Sequence, residues 1–279
     1  MKAECQIISN EEGKRVFFNR KGNMKRPDFV RIGHKVGPYT KTKTFDEKKY
    51  GFMTTHRNVC PPRFTELPEI SELFFYGFAR MKIGKFWGLV SANGYDILKA
   101  QYEGIYIYHD DILDRTVVIL EKNGLYGLYI PYENIVTEIK YTDFELKDEY
   151  IITFSNELQG ILLYNGTELF KPENVKVEYF YGLFLATKSS GKKLLNSPNW
   201  SNESVQADEF YSPMHGGIRA RICKNYAMLD LNTGRNITQF LYKEMTNFDR
   251  AGFAVVKDGL KCKLLDRDGN IRTNFRRVL

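Results

Sequence analysis

The feature that most constrains this chain is a spacing. The segment GFARMKIGKFWGLV, from Gly77, has a counterpart near the C-terminus in GFAVVKDGLKCKLL, from Gly252, with Gly, Phe, Ala, Lys, Gly and Leu at the same offsets. With Trp87 as the anchor of the first, Cys262 anchors the second. Further copies anchor at Tyr126 (LEKNGLYGLYIPYENIVTEIKY), Gln159 (SNELQGILLYNGTELF), Tyr50 (KKYGFMTTHRNVCPPRF) and Tyr226 (ICKNYAMLDLNTGRNITQF). Weaker ones anchor at Arg15 and Lys192. The anchors 15, 50, 87, 126, 159, 192, 226 and 262 are 33 to 39 residues apart. A period of that size marks a repeat array. One such unit cannot bury an apolar face alone, so it must stack on its neighbours.

Each copy has the same local grammar. Ile218-Arg219-Ala220-Arg221-Ile222 alternates apolar and charged residues, the signature of a half-buried strand. A short turn follows (Gly84, Asn123-Gly124, Asn225, Asp258-Gly259), then the anchor strand. A glycine stands seven residues after the anchor in four copies: Gly22, Gly94, Gly166 and Gly269. Asn93-Gly94 and Asn165-Gly166 predict type I′ hairpin turns. A third short strand carries Ile97-Leu98 or Ile135-Val136. An aromatic closes the unit: Phe29, Phe64, Tyr102, Tyr141, Phe240 or Phe275. No apolar period of 3.6 residues runs to useful length. The sequence therefore predicts an all-β chain: a tandem array of about eight three-stranded hairpin units in a single domain, residues 1–279. An open, curved, solenoid-like array is preferred to a closed, propeller-like ring, because a propeller blade usually takes roughly 40–45 residues.

The unit G-F-A-x-x-K-x-G-K-x-W-G-L-V-x-x-x-G, followed by an aromatic, resembles the WG (KWG) repeat family of bacterial proteins. Trp87-Gly88, Tyr126-Gly127, Tyr50-Gly51 and Gln159-Gly160 keep the motif glycine, and Trp87 alone keeps the tryptophan. The resemblance implies a β-repeat architecture and an interaction role, and brings no catalytic motif with it. The anchors Tyr50, Trp87, Tyr126 and Tyr226, with Gly88 and Gly127, are read as structural. In this reading the rings are buried against the adjacent repeat and the glycine lets that repeat approach.

Chemistry-bearing patterns are sparse. His34, His56, His109 and His215 stand at no metal-ligand spacing from one another or from a cysteine. His109-Asp110-Asp111 reads as a solvated loop. Asp266-Arg267-Asp268-Gly269-Asn270 opens like an EF-hand loop, but that loop needs Gly at its sixth position and Glu at its twelfth. It reads as a hairpin turn. No phosphate loop or nucleophile elbow is present. No catalytic residue, metal or cofactor is expected. Cys5, Cys60, Cys223 and Cys262 form no CxxC pair and read as small buried residues in a reducing, cytoplasmic compartment. A Cys60–Cys262 pairing stays open. The N-terminal residues contain no apolar run like that of a secretory signal, and no window is apolar enough to span a bilayer.

Charge is distributed unevenly. The net charge is +7. Residues 1–65 hold 15 Lys and Arg against 6 Asp and Glu, a net of +9, and the rest of the chain carries −2. The stretch of about residues 25–49 reads as a basic loop. Its Arg26, Arg31, Lys35, Lys41, Lys43, Lys48 and Lys49, with Arg276 and Arg277 at the far end, are the candidate polyanion-binding residues, interleaved with Phe29 and Tyr39. Three functions remain open in the sequence. The first is a non-catalytic scaffold whose repeat surface binds a protein partner. The second is a nucleic-acid or polyanion binder acting through the basic first quarter. The third is an enzyme whose site assembles only in the fold.

Overall fold

The computed structural model of the protein describes residues 6–9, 15–18, 24–25, 29–44, 48–54, 58–200 and 204–272. Short antiparallel strands dominate it, gathered into small sheets of three or four, with the strands of each sheet in chain order. The chain divides into two compact units, Met1–Pro131 and Tyr132–Leu279, where the repeat pattern predicts one domain.

The first unit opens with β1 (Gln6–Ser9), β2 (Arg15–Phe18) and β3 (Met24–Lys25) in one sheet. β4 (Phe29–Val36), β5 (Tyr39–Thr44), β6 (Tyr50–Thr54) and β7 (Asn58–Phe64) form the next. A one-turn helix, α1 (Ser71–Phe75), precedes the sheet of β8 (Phe78–Ile83), β9 (Phe86–Ser91) and β10 (Asp96–Tyr102). β11 (Gly104–Asp110), β12 (Arg115–Lys122) and β13 (Leu125–Ile130) complete this unit.

The second unit begins with the short β14 (Ile135–Val136). The sheet of β15 (Asp143–Leu146), β16 (Tyr150–Ser155), β17 (Leu158–Leu163) and β18 (Glu168–Asn174) follows. Next come β19 (Lys176–Phe180), β20 (Leu183–Thr187), β21 (Lys193–Asn196) and β22 (Val205–Ala207). β23 (Glu209–Phe210), β24 (Gly217–Ile222) and β25 (Asn225–Asp230) make a three-stranded sheet. The last holds β26 (Glu244–Met245), β27 (Phe253–Asp258), β28 (Lys261–Asp266) and β29 (Ile271–Arg272).

Every anchor falls at the same place in this scheme. Arg15, Tyr50, Trp87, Tyr126, Gln159, Tyr226 and Cys262 lie at or near the start of β2, β6, β9, β13, β17, β25 and β28, and Lys192 immediately precedes β21. The unit differs from expectation in one respect. Stretches that read as links between copies form an extra strand (β4, β11, β15, β19, β26), so most sheets have four strands rather than three. The basic stretch around residues 25–49 is corrected in the same way. It is no loop but a hairpin of β4 and β5, closed by a turn at Gly37 with φ +53°. Its alternation was hidden because Thr and Lys, not apolar residues, occupy β5.

The cores lie between consecutive sheets, not within one. Phe52 and Phe64 of the second sheet pack with Met81 and Val90 of the third, and with Leu73 of α1. In the second unit Ile161 and Phe170 meet Phe184 and Ala186 of the next sheet. Leu185 and Leu195 then meet Ile218 and Leu229, and Met228 meets Val256 and Leu265. Stacking supplies the burial that a single repeat lacks, and the closing aromatics Phe64, Tyr102 and Tyr141 are buried in it. Phe240 is half-buried; Phe275 lies outside the described residues.

Two glycine positions set the fit. The glycine beside the anchor makes room for the third strand of its own repeat. A Cβ on Gly88 would lie 2.6 Å from the Leu98 carbonyl oxygen, on Gly51 2.3 Å from that of Cys60, and on Gly160 2.5 Å from that of Phe170. The register of that third strand slips just there, at Leu98, Phe52–Cys60 and Ile161–Phe170, so its bulged backbone leans onto the glycine. The motif glycine thus admits its own repeat's strand, not the neighbouring repeat. The glycine seven residues after the anchor closes a three-residue turn. Gly94 N–H donates to Ser91 O at 2.8 Å and Gly166 N–H to Leu163 O at 2.9 Å. Only the glycine takes positive φ (+86° and +82°), so the turn is type I followed by a left-handed glycine, not type I′. Asn123-Gly124, with φ of +54° and +71°, has the type I′ pattern, as do Tyr181-Gly182 and His215-Gly216.

Gly160→Ala is expected to destabilise the protein by roughly 1–3 kcal/mol, the cost of overpacking against backbone that cannot yield. Gly124→Ala meets open space, so only its left-handed conformation resists and it should cost less, about 1 kcal/mol. Chemical denaturation of both variants, followed by circular dichroism, checks the order.

Candidate interaction surface

The insert between the second and third sheets carries α1. A helix of one turn is unstable by itself and must be held by tertiary contacts. Ile70 and Leu73 are buried in the core below it. Glu72, also buried, accepts hydrogen bonds from the Arg80 backbone N–H and from Arg80 Nε, both at 2.8 Å, and pairs with Arg80 NH2 at 2.6 Å. Those contacts hold the turn in place, while Phe74 and Phe75 are 53% and 69% exposed.

The rings form a run. Phe74 and Phe75 are 5.3 Å apart between centroids, Phe75 and Tyr76 6.4 Å, and Tyr76 and His109 of β11 5.5 Å. At one end the Phe74 ring lies so close to Gly37, in the β4–β5 turn, that a Cβ there would meet it at 2.3 Å. At the other end Nδ1 of His109 shares a hydrogen bond with Thr116 Oγ1 at 2.9 Å. Nε2 of His109 faces Asp111 at 3.4 Å and Asp114 at 4.0 Å. Asp110 is spent on its own turn, where Oδ1 accepts from the Ile112 and Leu113 N–H groups. The sequence reading of a solvated loop at His109-Asp110-Asp111 is corrected: His109 and Asp110 end β11, half-buried and paired with β12, and only Asp111 lies in the exposed turn.

The predicted basic residues fall as follows. Arg26, Arg276 and Arg277 lie outside the described residues. Arg31 and Lys35 are on β4, where Arg31 registers with Thr42 and so alternates with Lys41 and Lys43 on β5. Lys41 is half-buried with Nζ 4.6 Å from the Tyr50 ring centre; burial lowers its pKa, and Glu69 offsets part of that. Lys43 is half-buried and pairs in register with Tyr50. Lys48 and Lys49 are exposed and stand beyond the far end of β5 from the Gly37 turn.

The anchor rings are half-buried. Lys82 Nζ lies 5.0 Å over the Trp87 ring. Tyr50 and Tyr226 pack against cores shared with the next sheet, Tyr126 is likewise half-buried, and Gly88 and Gly127 beside the anchors are buried. Arg219 lies 5.7 Å over Tyr226 and 4.0 Å over Tyr211. The recurring element is a ring under a cation from the preceding strand. Gln159, without a ring, instead accepts the Val177 N–H at 2.9 Å. Around Tyr211 the partners are internal. Its hydroxyl donates to Glu209 at 2.8 Å, and Arg221 NH2 holds the same carboxylate at 2.9 Å. Burial, then Tyr226 and Glu209, push the Tyr211 hydroxyl up to about 12.

Cys60 is buried, with its thiol raised by burial, whereas Cys223 and Cys262 are exposed. All three are free thiols, so Cys60 and Cys262 do not pair. Asp266 takes the turn role predicted for it. Its carboxylate accepts the Asp268 and Asn270 N–H groups and pairs with Arg272 at 2.8 Å. Among the described residues no group of three or more His, Cys, Asp or Glu could hold a metal ion.

No family model matches the chain, and no curated protein does. Among solved structures it is similar to the computationally designed Ika8 protein, with 9% identity over 86% of this chain and 84% of that one and a TM-score of 0.23. It is also similar to the CNH domain of AfRom2, with 11% identity, 88% and 94% coverage and a TM-score of 0.26. Hsv2 of Kluyveromyces lactis gives 8%, 72% and 75%, and 0.23. Likenesses this loose fix neither the arrangement of the sheets nor a function.

Two measurements follow from this geometry. Trp87→Ala should cost about 1–2 kcal/mol, clearly less than the roughly 3–5 kcal/mol expected for the fully buried Phe64→Ala; equal losses in urea melts would contradict the half-buried placement. For Tyr211, the raised pKa means that the folded state holds the proton longer than the unfolded chain does. Its contribution is intact below the ordinary tyrosine value of about 10 and is lost as pH rises from there through about 12. Tyr211→Phe should flatten the fall of the urea midpoint across that window.

Proposed function

We propose that the protein is a non-catalytic, WG-like repeat module that binds another protein. The observation that carries this reading is the run of rings at Phe74, Phe75 and Tyr76, the two phenylalanines exposed and the tyrosine half-buried, on a turn fixed by Leu73 and by the Glu72–Arg80 pair. Rigid aromatic side chains on a firm base are what a binding hot spot requires. The WG-like assignment gains a physical reason from Gly51, Gly88 and Gly160, where any larger residue would strike the bulged third strand. A reducing, cytoplasmic setting belongs to the same proposal. No described helix is long and apolar enough to cross a membrane.

A second reading, polyanion binding through the first quarter, is favoured by its net charge of +9 and by the exposed Lys48 and Lys49. Lys41 argues against it, since its ammonium is half-buried over Tyr50.

Affinity capture with wild type and with the Phe74→Ser/Phe75→Ser double variant, followed by titration of the purified partner, tests the first reading. The expected outcome is a partner protein lost from the double variant and retained by wild type between about 50 and 200 mM salt. Phosphate-driven complexes weaken by orders of magnitude over that range. Capture of nucleic acid alone, released across the same salt range and indifferent to Phe74 and Phe75, would overturn it in favour of the second.

A further inference from the structure

The chemistry around the aromatic ridge is unlike that of the chain as a whole. The protein is basic, at +7, yet two cations of β8, the strand after the ridge, are engaged: Arg80 by Glu72 at 2.6 Å and Lys82 by Glu66 at 3.1 Å; Arg115 of β12 stands in register with Asp110. At the His109 end the carboxylates of Asp111 and Asp114 are 96% and 99% exposed, with His109 Nε2 as their neighbour. Glu69, also exposed, precedes α1. The ridge is therefore an apolar surface with exposed carboxylates at its His109 end. An anionic partner such as a nucleic acid would face these carboxylates across a short distance and be repelled.

We propose that the ridge of Phe74, Phe75 and Tyr76, with Asp111 and Asp114 at its end, binds a segment of a partner protein that carries arginine among apolar residues. This rests on the protein-binding reading above and names the chemistry of the partner. Exposed rings present a negative face to a cation. The chain uses the same arrangement internally, with Lys82 over Trp87 at 5.0 Å and Arg219 over Tyr211 at 4.0 Å. Arginine fits better than lysine, because one planar guanidinium can lie on a ring while a second takes a carboxylate with two parallel hydrogen bonds. Apolar neighbours in the segment would cover Phe75, the more exposed of the two phenylalanines at 69%. Asp111 and Asp114 would orient the segment toward the His109 end and speed its approach.

The test uses the full chain and fluorescein-labelled peptides of alternating Arg and Leu, of alternating Glu and Leu, and a single-stranded DNA oligonucleotide. Anisotropy should show binding of the Arg-Leu peptide and none of the Glu-Leu peptide. Phe75→Ser should weaken that binding about thirtyfold, as loss of a central aromatic anchor does. Asp111→Asn with Asp114→Asn should weaken it less and flatten its salt dependence. These side chains are exposed, so the melting temperature should not move in either variant. Unaltered binding by Phe75→Ser, or DNA binding that Phe75→Ser abolishes, overturns the proposal. If wild type ignores the Arg-Leu peptide, the arginine assignment fails by itself. The broader reading fails separately, when the Phe74→Ser/Phe75→Ser variant keeps every protein that wild type captures.

Discussion

The fit on which the stacking depends is where the turn glycine of one repeat meets the sheet of the repeat before it. A Cβ on Gly94 would lie 2.5 Å from the Val59 carbonyl oxygen, on Gly166 2.9 Å from Ile135 Cγ2, and on Gly269 2.7 Å from the Ile237 carbonyl oxygen. Each of those partners lies in or beside the third strand of the preceding repeat. The contact fixes both the spacing and the order of the sheets, since a side chain at any of these positions would push two layers apart. Specific bonds reinforce it. Arg63 donates to Gly94 O at 3.0 Å and pairs with Asp96 at 2.7 Å. Tyr141 donates to Glu168 at 2.9 Å, and Trp200 Nε1 to Leu231 O at 2.9 Å. The apolar cores form between sheets because this fit holds the sheets close.

That constraint explains what could be read from the chain and what could not. The repeat was legible because the anchor strand and the turn glycine recur at fixed offsets, and both are dictated by backbone packing. Glycine is the one residue whose absence of a side chain shows in a sequence. The extra strand of the four-stranded sheets was not legible. In the second sheet that strand is β4, and the β5 it pairs with reads Tyr39-Thr40-Lys41-Thr42-Lys43-Thr44, where Thr42 is wholly buried although nothing apolar marks it. The role of the anchor glycine was misjudged for a different reason. A tryptophan beside a glycine invites the inference that the next repeat approaches there, but the bulged third strand of the same repeat occupies the space over Gly88, and a cation lies over the half-buried ring.

The site was half legible. Phe74-Phe75-Tyr76 stands outside the repeat motif, in the widened interval between the second and third copies, and a run of three aromatics off the pattern is itself a signal. Its meeting with His109, more than thirty residues on, depends on the stacking of the third and fourth sheets and has no trace in local sequence. The charge asymmetry points the wrong way when taken alone. Summed over the first quarter it suggests a polyanion, but β4 and β5 place Arg31 and Lys41 at alternating register positions, and Lys41 lies against Tyr50. Net charge governs approach and solubility, whereas a contact surface is governed by the charges left unpaired beside it.

That distinction bears on how one fold can serve both ends. A repeat array gives every copy the same backbone, so function must sit where a copy departs from the pattern. The departures here are the insert with α1, the acidic turn at Asp110–Asp114, and the basic β4–β5 hairpin whose Gly37 turn supports the Phe74 ring. All three belong to the first unit. The hairpin turn and the ridge touch, so a partner engaging the rings would rest against the Gly37 turn at one end and the exposed carboxylates of Asp111 and Asp114 at the other. Such a surface would therefore select not only the composition of a bound segment but its direction, with the arginine set against Asp111 and Asp114.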